Sequence, residues 1–224
     1  MLPMMSASTA SDSIRILVLH GYRQSGDIFW KRIGFLRKHF GNKIELVCPT
    51  APLVYGPGEY MWWRASDDGK KYEGVADAIK YLNQIEERDG PFDGVVGFSQ
   101  GAAVAATLCA LQHHATHENG VAAEALLDTG LPSINTKLKF AIMVGGFIPR
   151  DEMMRSVLFT KEQSISVPSL HVIGEADTIV LPEKSSDLRS LFQNPQSYEH
   201  PSGHTIPSTR DCRDTLLTFI NANC

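Results

Sequence analysis

Short apolar runs alternate with longer segments of mixed polarity along most of the chain. A run of about four to eight apolar residues bounded by polar residues, Gly or Pro is typical of a buried strand. Six segments are predicted to be strands, near Ile14–Leu19, Ile44–Val47, Phe92–Val96, Phe140–Val144, Leu170–Ile173 and Gln196–Glu199.

Helical patterns occupy the segments between these predicted strands. The predicted helices lie near Phe29–His39, Tyr72–Glu87, Ala102–Gln112, Lys184–Phe192 and Thr209–Ala222. Strands that alternate with helices in this way imply a mostly parallel central sheet with helices on both faces, which is the α/β class. A chain of 224 residues suits one such domain, which we expect to span residues 14–224.

The most informative motif lies between the third predicted strand and the helix that follows it. Residues 97–101 read Gly-Phe-Ser-Gln-Gly, which is the Gly-x-Ser-x-Gly pattern of a nucleophile elbow. In an elbow, a sharp turn from strand to helix strains the backbone of the serine and exposes its hydroxyl at the carboxyl end of the strand. The pattern alone is common by chance, but a strand before it and an alanine-rich helix after it indicate that Ser99 is a nucleophile.

A serine hydroxyl is a weak nucleophile at neutral pH, so it needs a base and a carboxylate that orients the base. Asp177 is the predicted acid, because it follows the strand predicted at Leu170–Ile173 and such sites gather at the carboxyl ends of strands. Glu175 is a rival, but it lies where the strand is just ending and is expected to point elsewhere.

His204 is the predicted base among the eight histidines of the chain. It sits in a flexible loop after Pro-Ser-Gly at 201–203, and such a loop can reach across to the serine. His200 competes with it, but this residue lies at the strand end and has less freedom to swing inward. The chain order Ser99, Asp177, His204 is the order expected of an α/β-hydrolase.

Two backbone N–H groups are expected to bind the oxyanion that develops during acyl transfer. One belongs to Gln100, directly after the nucleophile, and the other to Tyr22, in the loop after the first predicted strand. Gly21 permits a tight turn in that loop. Removal of such a donor typically costs about 2.7–4 kcal/mol of transition-state stabilisation.

These motifs together resemble a known family. Residues 20–25 (His-Gly-Tyr-Arg-Gln-Ser), 90–103 around the elbow, and 203–207 (Gly-His-Thr-Ile-Pro) are similar to the serine hydrolases that include the human ovarian-cancer-associated serine hydrolase and its fungal relatives. The resemblance spans nearly the whole chain. It implies an α/β-hydrolase fold, esterase activity without a metal or other cofactor, and a triad of Ser99, Asp177 and His204.

The same family includes thioesterases that release acyl chains from carrier proteins, so the resemblance leaves an acyl thioester substrate open. Acyl-protein thioesterases have a similar Gly-Phe-Ser-Gln-Gly elbow. Their first loop usually reads His-Gly-x-Gly-Asp, and Tyr-Arg-Gln at 22–24 departs from that pattern. The chain is therefore predicted to lie outside that group.

Three segments fall outside the alternation of strands and helices and are expected to shape the substrate pocket. They cover residues 51–70, 116–137 and 145–167, and each is too short to form a large cap domain. Ligand sites are mostly apolar, so we predict an acyl pocket lined by Met61, Trp62, Trp63, Phe147, Ile148 and Ile179. Alternatively, the tryptophans anchor a long loop to the domain.

The composition of the chain limits the kinds of partner and cofactor that it is expected to bind. The net charge of −4, from 21 basic and 25 acidic residues without a basic stripe, argues against a nucleic-acid partner. Four scattered cysteines lack metal-ligand spacing, so reduced thiols are expected. His113 and His117 have the spacing of a helical metal site, but no third ligand lies nearby in the sequence. We expect neither a metal nor an organic cofactor.

The first residues and the hydropathy of the chain bear on its location. Residues 1–13 are expected to form a disordered leader, since the first dozen are rich in Ser, Ala and Met and lack the apolar region of a signal peptide. No apolar run approaches the roughly 20 residues that span a bilayer. These features predict a cytoplasmic protein without stable membrane insertion.

The sequence as a whole predicts a carboxylesterase-type serine hydrolase that cleaves hydrophobic acyl esters through an acyl-enzyme. Two alternatives stay open. The physiological bond could be a thioester, or the fold could serve as a ligand-binding sensor whose slow hydrolysis is incidental.

Overall fold

The computed structural model describes residues 13–116, 130–160 and 164–224. Its strands are β1 (Ile14–Leu19), β2 (Ile44–Val47), β3 (Leu53–Gly56), β4 (Glu59–Met61), β5 (Arg64–Ala65), β6 (Tyr72–Glu73), β7 (Gly94–Phe98), β8 (Phe140–Val144), β9 (Ser169–Gly174) and β10 (Gln196–His200). Its helices are α1 (Gly26–Arg32), α2 (Gly34–Phe40), α3 (Val75–Asp89), α4 (Gln100–Thr116), α5 (Glu152–Leu158), α6 (Pro182–Arg189) and α7 (Arg210–Ala222).

The central sheet has the strand order β10-β9-β8-β7-β1-β2, and neighbouring strands in it run parallel. Side chains of alternate residues enter opposite faces, as the pleat of a strand requires. In β1, for example, Leu17 and Leu19 join one apolar core, whereas Ile16 and Val18 join the other. The first core includes residues of α3, α4, α5 and α6, and the second includes residues of α1, α2 and α7.

The fold class predicted from the sequence is confirmed, since helices cover both faces of a parallel sheet. All six predicted strands are present, and the strand before the elbow lies two residues later than expected, at Gly94–Phe98. The helix predicted at Phe29–His39 divides at Ile33 into α1 and α2. The helix predicted from Tyr72 begins only at Val75, because Gly74 has a left-handed backbone with φ of 86°.

Two short hairpins lie between residues 53 and 73, whereas the sequence predicted no regular structure over residues 51–70 and a helix from Tyr72. In one, β3 pairs with β4, and in the other, β5 pairs with β6. A further unpredicted element, α5, begins where the Asp151 carboxylate accepts a hydrogen bond from the Met154 N–H at 2.9 Å. These additions are small, and the described ranges contain no large cap domain.

The predicted leader at residues 1–13 lies outside the described residues except for Ser13, and His117 lies outside them as well. In the part of the chain that is described, none of the helices has both the length and the apolar character needed to cross a membrane.

Candidate active site

Ser99 occupies a strained turn at the carboxyl end of β7. Its φ of 54° is rare for a residue with a side chain, and strain of this kind clusters at functional sites. Hydrogen bonds hold the turn: the Ser99 N–H donates to the Val144 carbonyl at 2.9 Å, and the Ser99 carbonyl accepts from the Ala102 N–H at 2.9 Å. This is the geometry of the elbow predicted from the sequence.

Gly101 allows the elbow to pack closely against β1. A Cβ atom at this position would collide with the carbonyl oxygen of Leu19, which is a backbone atom that cannot move aside. Because α4 starts directly after Ser99, its first turn lies against the end of β1. The glycine in the motif is therefore required by packing, and the serine is fixed between two buried elements.

Asp177 and His204 form a short hydrogen bond, with 2.6 Å between Asp177 Oδ2 and His204 Nδ1. The other carboxylate oxygen of Asp177 accepts from the N–H groups of Ile179 and Val180, both at 2.9 Å. An ionised carboxylate can only accept, so the proton of the neutral imidazole lies on Nδ1. The Nε2 atom of His204 is then unprotonated and can act as a base.

The imidazole of His204 lies beside the elbow. Its ring centroid is 4.8 Å from that of Phe98, the residue before Ser99. It also lies against Gly145, where a Cβ atom would come within 2.9 Å of His204 Cε1. Gly145 follows Val144, the hydrogen-bond acceptor of Ser99, so the structure gathers the three predicted residues at one edge of the sheet.

The rival residues occupy other environments. Glu175 is exposed, and its backbone N–H donates to the His200 carbonyl at 2.8 Å. His200 is buried at the end of β10, and its pKa is lowered mainly by loss of hydration. Among these residues, it is His204 that hydrogen-bonds to Asp177.

The two predicted oxyanion donors lie next to Ser99. The N–H of Gln100 is the first of α4, and the first N–H groups of a helix have no acceptor within it. Tyr22 follows Gly21, where a Cβ atom would be 3.4 Å from Ser99 Cβ. Both Tyr22 and Gln100 line the same cavity as Ser99.

His20 braces the loop that carries Tyr22. The Ala51 N–H donates to its Nε2 at 2.9 Å, and its Nδ1 lies 2.8 Å from the Gly21 carbonyl, so the neutral ring with the proton on Nδ1 satisfies both contacts. Burial lowers the pKa of His20 to about 4. The Trp62 indole N–H donates to the His20 carbonyl at 2.8 Å. This role of His20 was not predicted from the sequence, although His20 directly precedes the loop of the predicted oxyanion donor.

The side chain of Gln100 links the elbow to the tryptophan segment. Its Oε1 accepts from the Trp62 N–H, and its Nε2 donates to the Trp63 carbonyl, both at 3.0 Å. The side chain is buried, so its amide group forms these two hydrogen bonds out of contact with water. Gln100 thus has a positioning function in addition to the predicted backbone donor.

A cavity of about 630 Å³ opens beside Ser99 and is large enough for a substrate acyl group. Of the predicted pocket residues, four lie on its wall: Trp63, Phe147, Ile148 and Ile179. The ring of Trp63 stacks on Tyr72, with centroids 4.9 Å apart. The cavity therefore has the apolar surface that the sequence predicted, next to the serine.

Met61 and Trp62 differ from the prediction, because neither belongs to the cavity wall. Met61 is 1% exposed in β4, and Trp62 is fully buried in the core with its indole N–H bound to His20. Trp62 instead anchors the loop to the domain, which is the alternative given by the sequence.

No sequence motif indicated the charged part of the cavity wall, which consists of Arg64, Arg150, Arg155, Lys184 and Asp187. These residues come from three separate segments, so no local pattern joins them. Within the three described ranges, groups of three or more His, Cys, Asp and Glu residues suited to a metal ion are absent.

Comparison with solved structures supports the α/β-hydrolase fold. It is similar to Zea mays acyl-protein thioesterase 2, with a TM-score of 0.65 and 21% identity, over 97% of this chain and 96% of that one. It is also similar to esterase PE8, with a TM-score of 0.62 and 24% identity, over 99% of this chain and 98% of that one. Identities at this level show the fold alone.

Relatives of higher sequence identity show the family as well as the fold. The chain is 32% identical to Esterase OVCA2 of Danio rerio over 236 residues, which cover 92% of this chain and 96% of the relative. It is 33% identical to Esterase OVCA2 of Xenopus tropicalis over 232 residues, covering 93% and 92%. The family model described as serine hydrolase (FSH1) matches residues 9–216. The resemblance inferred from the motifs is confirmed, and the chain belongs to the FSH1 family of serine hydrolases.

Proposed function

We propose that this serine hydrolase cleaves acyl esters through a triad of Ser99, His204 and Asp177. The observation that carries the proposal is the 2.6 Å hydrogen bond from His204 Nδ1 to Asp177 Oδ2, formed beside a serine in strained elbow geometry. A strained serine turn or a hydrogen bond between Asp and His can each occur for structural reasons alone. Their combination at the mouth of a cavity is what acyl transfer requires.

In the proposed mechanism, His204 Nε2 takes the proton of the Ser99 hydroxyl while the serine oxygen attacks the carbonyl carbon. The backbone N–H groups of Gln100 and Tyr22 bind the oxyanion. His204 then gives the proton to the leaving alcohol as the carbon–oxygen bond breaks, and Asp177 stabilises the imidazolium in between. Water attacks the acyl-enzyme by the same steps and releases a carboxylic acid and free Ser99.

The apolar part of the wall supports a hydrophobic acyl group as the substrate. Trp63, Phe147 and Ile148 are only partly exposed or buried, whereas Ile179 is 73% exposed at the rim. A thioester would use the same machinery, since the attacked group is again an acyl carbon.

We also propose that residues 14–224 act as one domain. The four unpaired cysteines support the proposed cytoplasmic location.

Steady-state hydrolysis of 4-nitrophenyl esters from acetyl to palmitoyl tests the proposal in the wild type and in Ser99→Ala. Circular dichroism and thermal unfolding first establish that both proteins are folded. We expect turnover in the wild type, with an optimum of chain length, and none above background in the variant. Equal turnover by a folded Ser99→Ala protein would overturn the proposal. Matched thioesters of the preferred acyl chain then separate esterase from thioesterase activity.

A further inference from the structure

The cavity beside Ser99 is far more cationic than the molecule that contains it. Four cationic side chains and one carboxylate lie on its wall, although the chain has a net charge of −4. Lys184 lies 3.8 Å from the carboxylate of Asp187, so these two charges partly offset each other. The remaining cations are Arg64, Arg150 and Arg155, and within the described ranges none of the three forms a salt bridge.

The backbone that carries these arginines is fixed by hydrogen bonds between distant segments. The Arg150 N–H donates to the Tyr72 hydroxyl at 2.9 Å, and the Tyr72 N–H donates to the Asp151 carboxylate at 2.8 Å. The Glu152 N–H donates to the Lys70 carbonyl at 2.9 Å. Hairpin β5–β6 and the start of α5 therefore form one continuous wall, which we call the arginine wall.

The two carboxylates at the start of α5 are engaged elsewhere. Asp151 accepts from the N–H groups of Tyr72 and Met154, and Glu152 forms a salt bridge with Lys70 at 3.1 Å. The guanidinium of Arg150 rests against Gly69, where a Cβ atom would lie 2.5 Å from Arg150 Nη2. Glu73 lies opposite Arg64 in the register of hairpin β5–β6, but within the described ranges no salt bridge joins Arg64, Arg150 or Arg155 to a carboxylate.

Guanidinium groups bind carboxylates and phosphates through paired N–H donors, and this binding strengthens beside apolar surface that excludes water. We propose that the substrate carries a carboxylate or a phosphate apart from the bond that Ser99 attacks, and that Arg64, Arg150 and Arg155 bind this anionic group. The inference rests on the proposed function of Ser99 and adds the substrate class: an anionic acyl ester or thioester.

Two pairs of probes test on which side of the scissile bond the charge lies. For the acyl side, mono-4-nitrophenyl adipate is compared with 4-nitrophenyl hexanoate, which has the same chain length without the carboxylate. For the leaving group, hexanoyl-coenzyme A is compared with S-hexanoyl-N-acetylcysteamine, which lacks the phosphates. The ratio of kcat/KM within each pair is measured in wild type and variants, so that intrinsic reactivity cancels.

The variants are Arg64→Gln, Arg150→Gln, Arg155→Gln and the triple combination. Each single change is expected to lower kcat/KM for the anionic member of one pair by about twofold to fivefold, and the triple change by about tenfold or more. The neutral member should stay within about twofold. Raised salt should weaken the anionic preference of the wild type by screening. The matched control is Arg88→Gln, an exposed arginine of α3 outside the cavity wall.

The outcomes separate this inference from the proposed function. If Ser99-dependent turnover of the neutral probes remains but neither ratio changes in the triple variant, the inference is overturned and the hydrolase proposal stands. If no probe is cleaved in a Ser99-dependent way, the proposed function fails and takes the inference with it. A change in only one pair supports the inference and identifies the side that carries the charge.

Discussion

The elbow region at residues 94–116 and the arginine wall at the edge of the cavity are held in place by different forces. In the elbow, two backbone segments approach each other closely: the turn at Ser99 is strained, and Gly101 lies against the Leu19 carbonyl. In the arginine wall, side chains join segments distant in sequence, as Tyr72 does with Asp151, 79 positions away.

The difference indicates how reactivity and selectivity are divided in this protein. The reacting serine depends on a backbone conformation with a positive φ of 54°, which residues with a side chain rarely adopt. The cavity wall depends on side chains such as Arg64 and Arg155, which are exposed and can be exchanged without unfolding the core. Changes at the turn itself, at Ser99 or Gly101, should abolish activity or lower stability, whereas changes in the arginine wall should alter the choice of substrate.

The largest expected effect comes from Asp177→Asn. An amide at this position favours the wrong imidazole tautomer, so kcat should fall by about 10⁴-fold while the thermal midpoint changes little. The measurement is turnover of 4-nitrophenyl butyrate beside thermal unfolding. Glu175→Gln is the matched control, because this exposed carboxylate lies two residues away, and it should remain within about twofold. A larger loss in the control than in Asp177→Asn would assign the acid to Glu175.

Gly101→Ala tests the close packing of the elbow by its effect on the stability of the protein. The added methyl group collides with the Leu19 carbonyl, so the free energy of unfolding should fall by about 3 kcal/mol or more, measured in urea. The control is Gly34→Ala in α2, where the new Cβ would lie 3.6 Å from the Arg37 side chain, an ordinary contact. Because alanine favours helix, the control should be neutral or stabilised by up to about 1 kcal/mol. Equal loss in both variants would show that the elbow tolerates the methyl group.

The brace at His20 predicts a pH dependence of stability. Its folded-state pKa, about 4, lies below its ordinary value of 6.5. The unfolded chain therefore binds the proton first, and stability falls as pH drops from about 6.5 to 4, by up to about 3 kcal/mol. His171, whose pKa burial lowers to about 3, acts in the same direction.

Urea unfolding at pH 7, 6, 5 and 4 isolates the share of His20 when the wild type is compared with His20→Gln. Glutamine can still accept from the Ala51 N–H but cannot titrate, so the variant should lose less stability on acidification. Parallel curves for the two proteins would contradict the neutral brace.

Gln100→Leu tests the link between the elbow and the tryptophan segment. It leaves the Trp62 N–H and the Trp63 carbonyl without partners, which should cost about 2–3 kcal/mol of stability. Gln112→Leu is a matched control on the same helix, because Gln112 bonds both backbone groups of Leu138 in the same way, away from the cavity. Both variants should be destabilised alike, but only Gln100→Leu should lower kcat/KM, by about tenfold. Equal kinetics would mean that Gln100 has a structural role only.

The smallest effect is expected for Ile179→Ser at the rim of the cavity. The side chain is 73% exposed, so stability should change by less than about 0.5 kcal/mol. Contact with a long acyl chain would be lost, and the preference for palmitoyl over acetyl esters should fall by about threefold. An unchanged preference would place the acyl chain away from Ile179.

The sequence predicted the elbow and the contact between Asp177 and His204 because each depends on a local pattern. A Gly-x-Ser-x-Gly motif, a strand end and a flexible loop can each be recognised within a few residues. The order of the strands along the chain then brings these ends to one edge of a parallel sheet.

The cavity wall could not be predicted to the same extent. Hairpin β5–β6 has only two residues in each strand, too few for a periodic pattern. Whether Trp62 or Trp63 faces the cavity depends on the bonds that Gln100 makes to their backbone, which join positions 38 and 37 residues apart. The arginine wall likewise depends on the contact between Tyr72 and Asp151, which no local pattern indicates.

The most direct test of the central claim is covalent labelling of Ser99. The wild type and Ser99→Ala, both folded, are treated with an alkyl fluorophosphonate, and the modified residue is found by peptide mass mapping. The account predicts one phosphonyl group per wild-type chain, on Ser99, and none on the variant. A label on another residue, or equal labelling of Ser99→Ala, would contradict it.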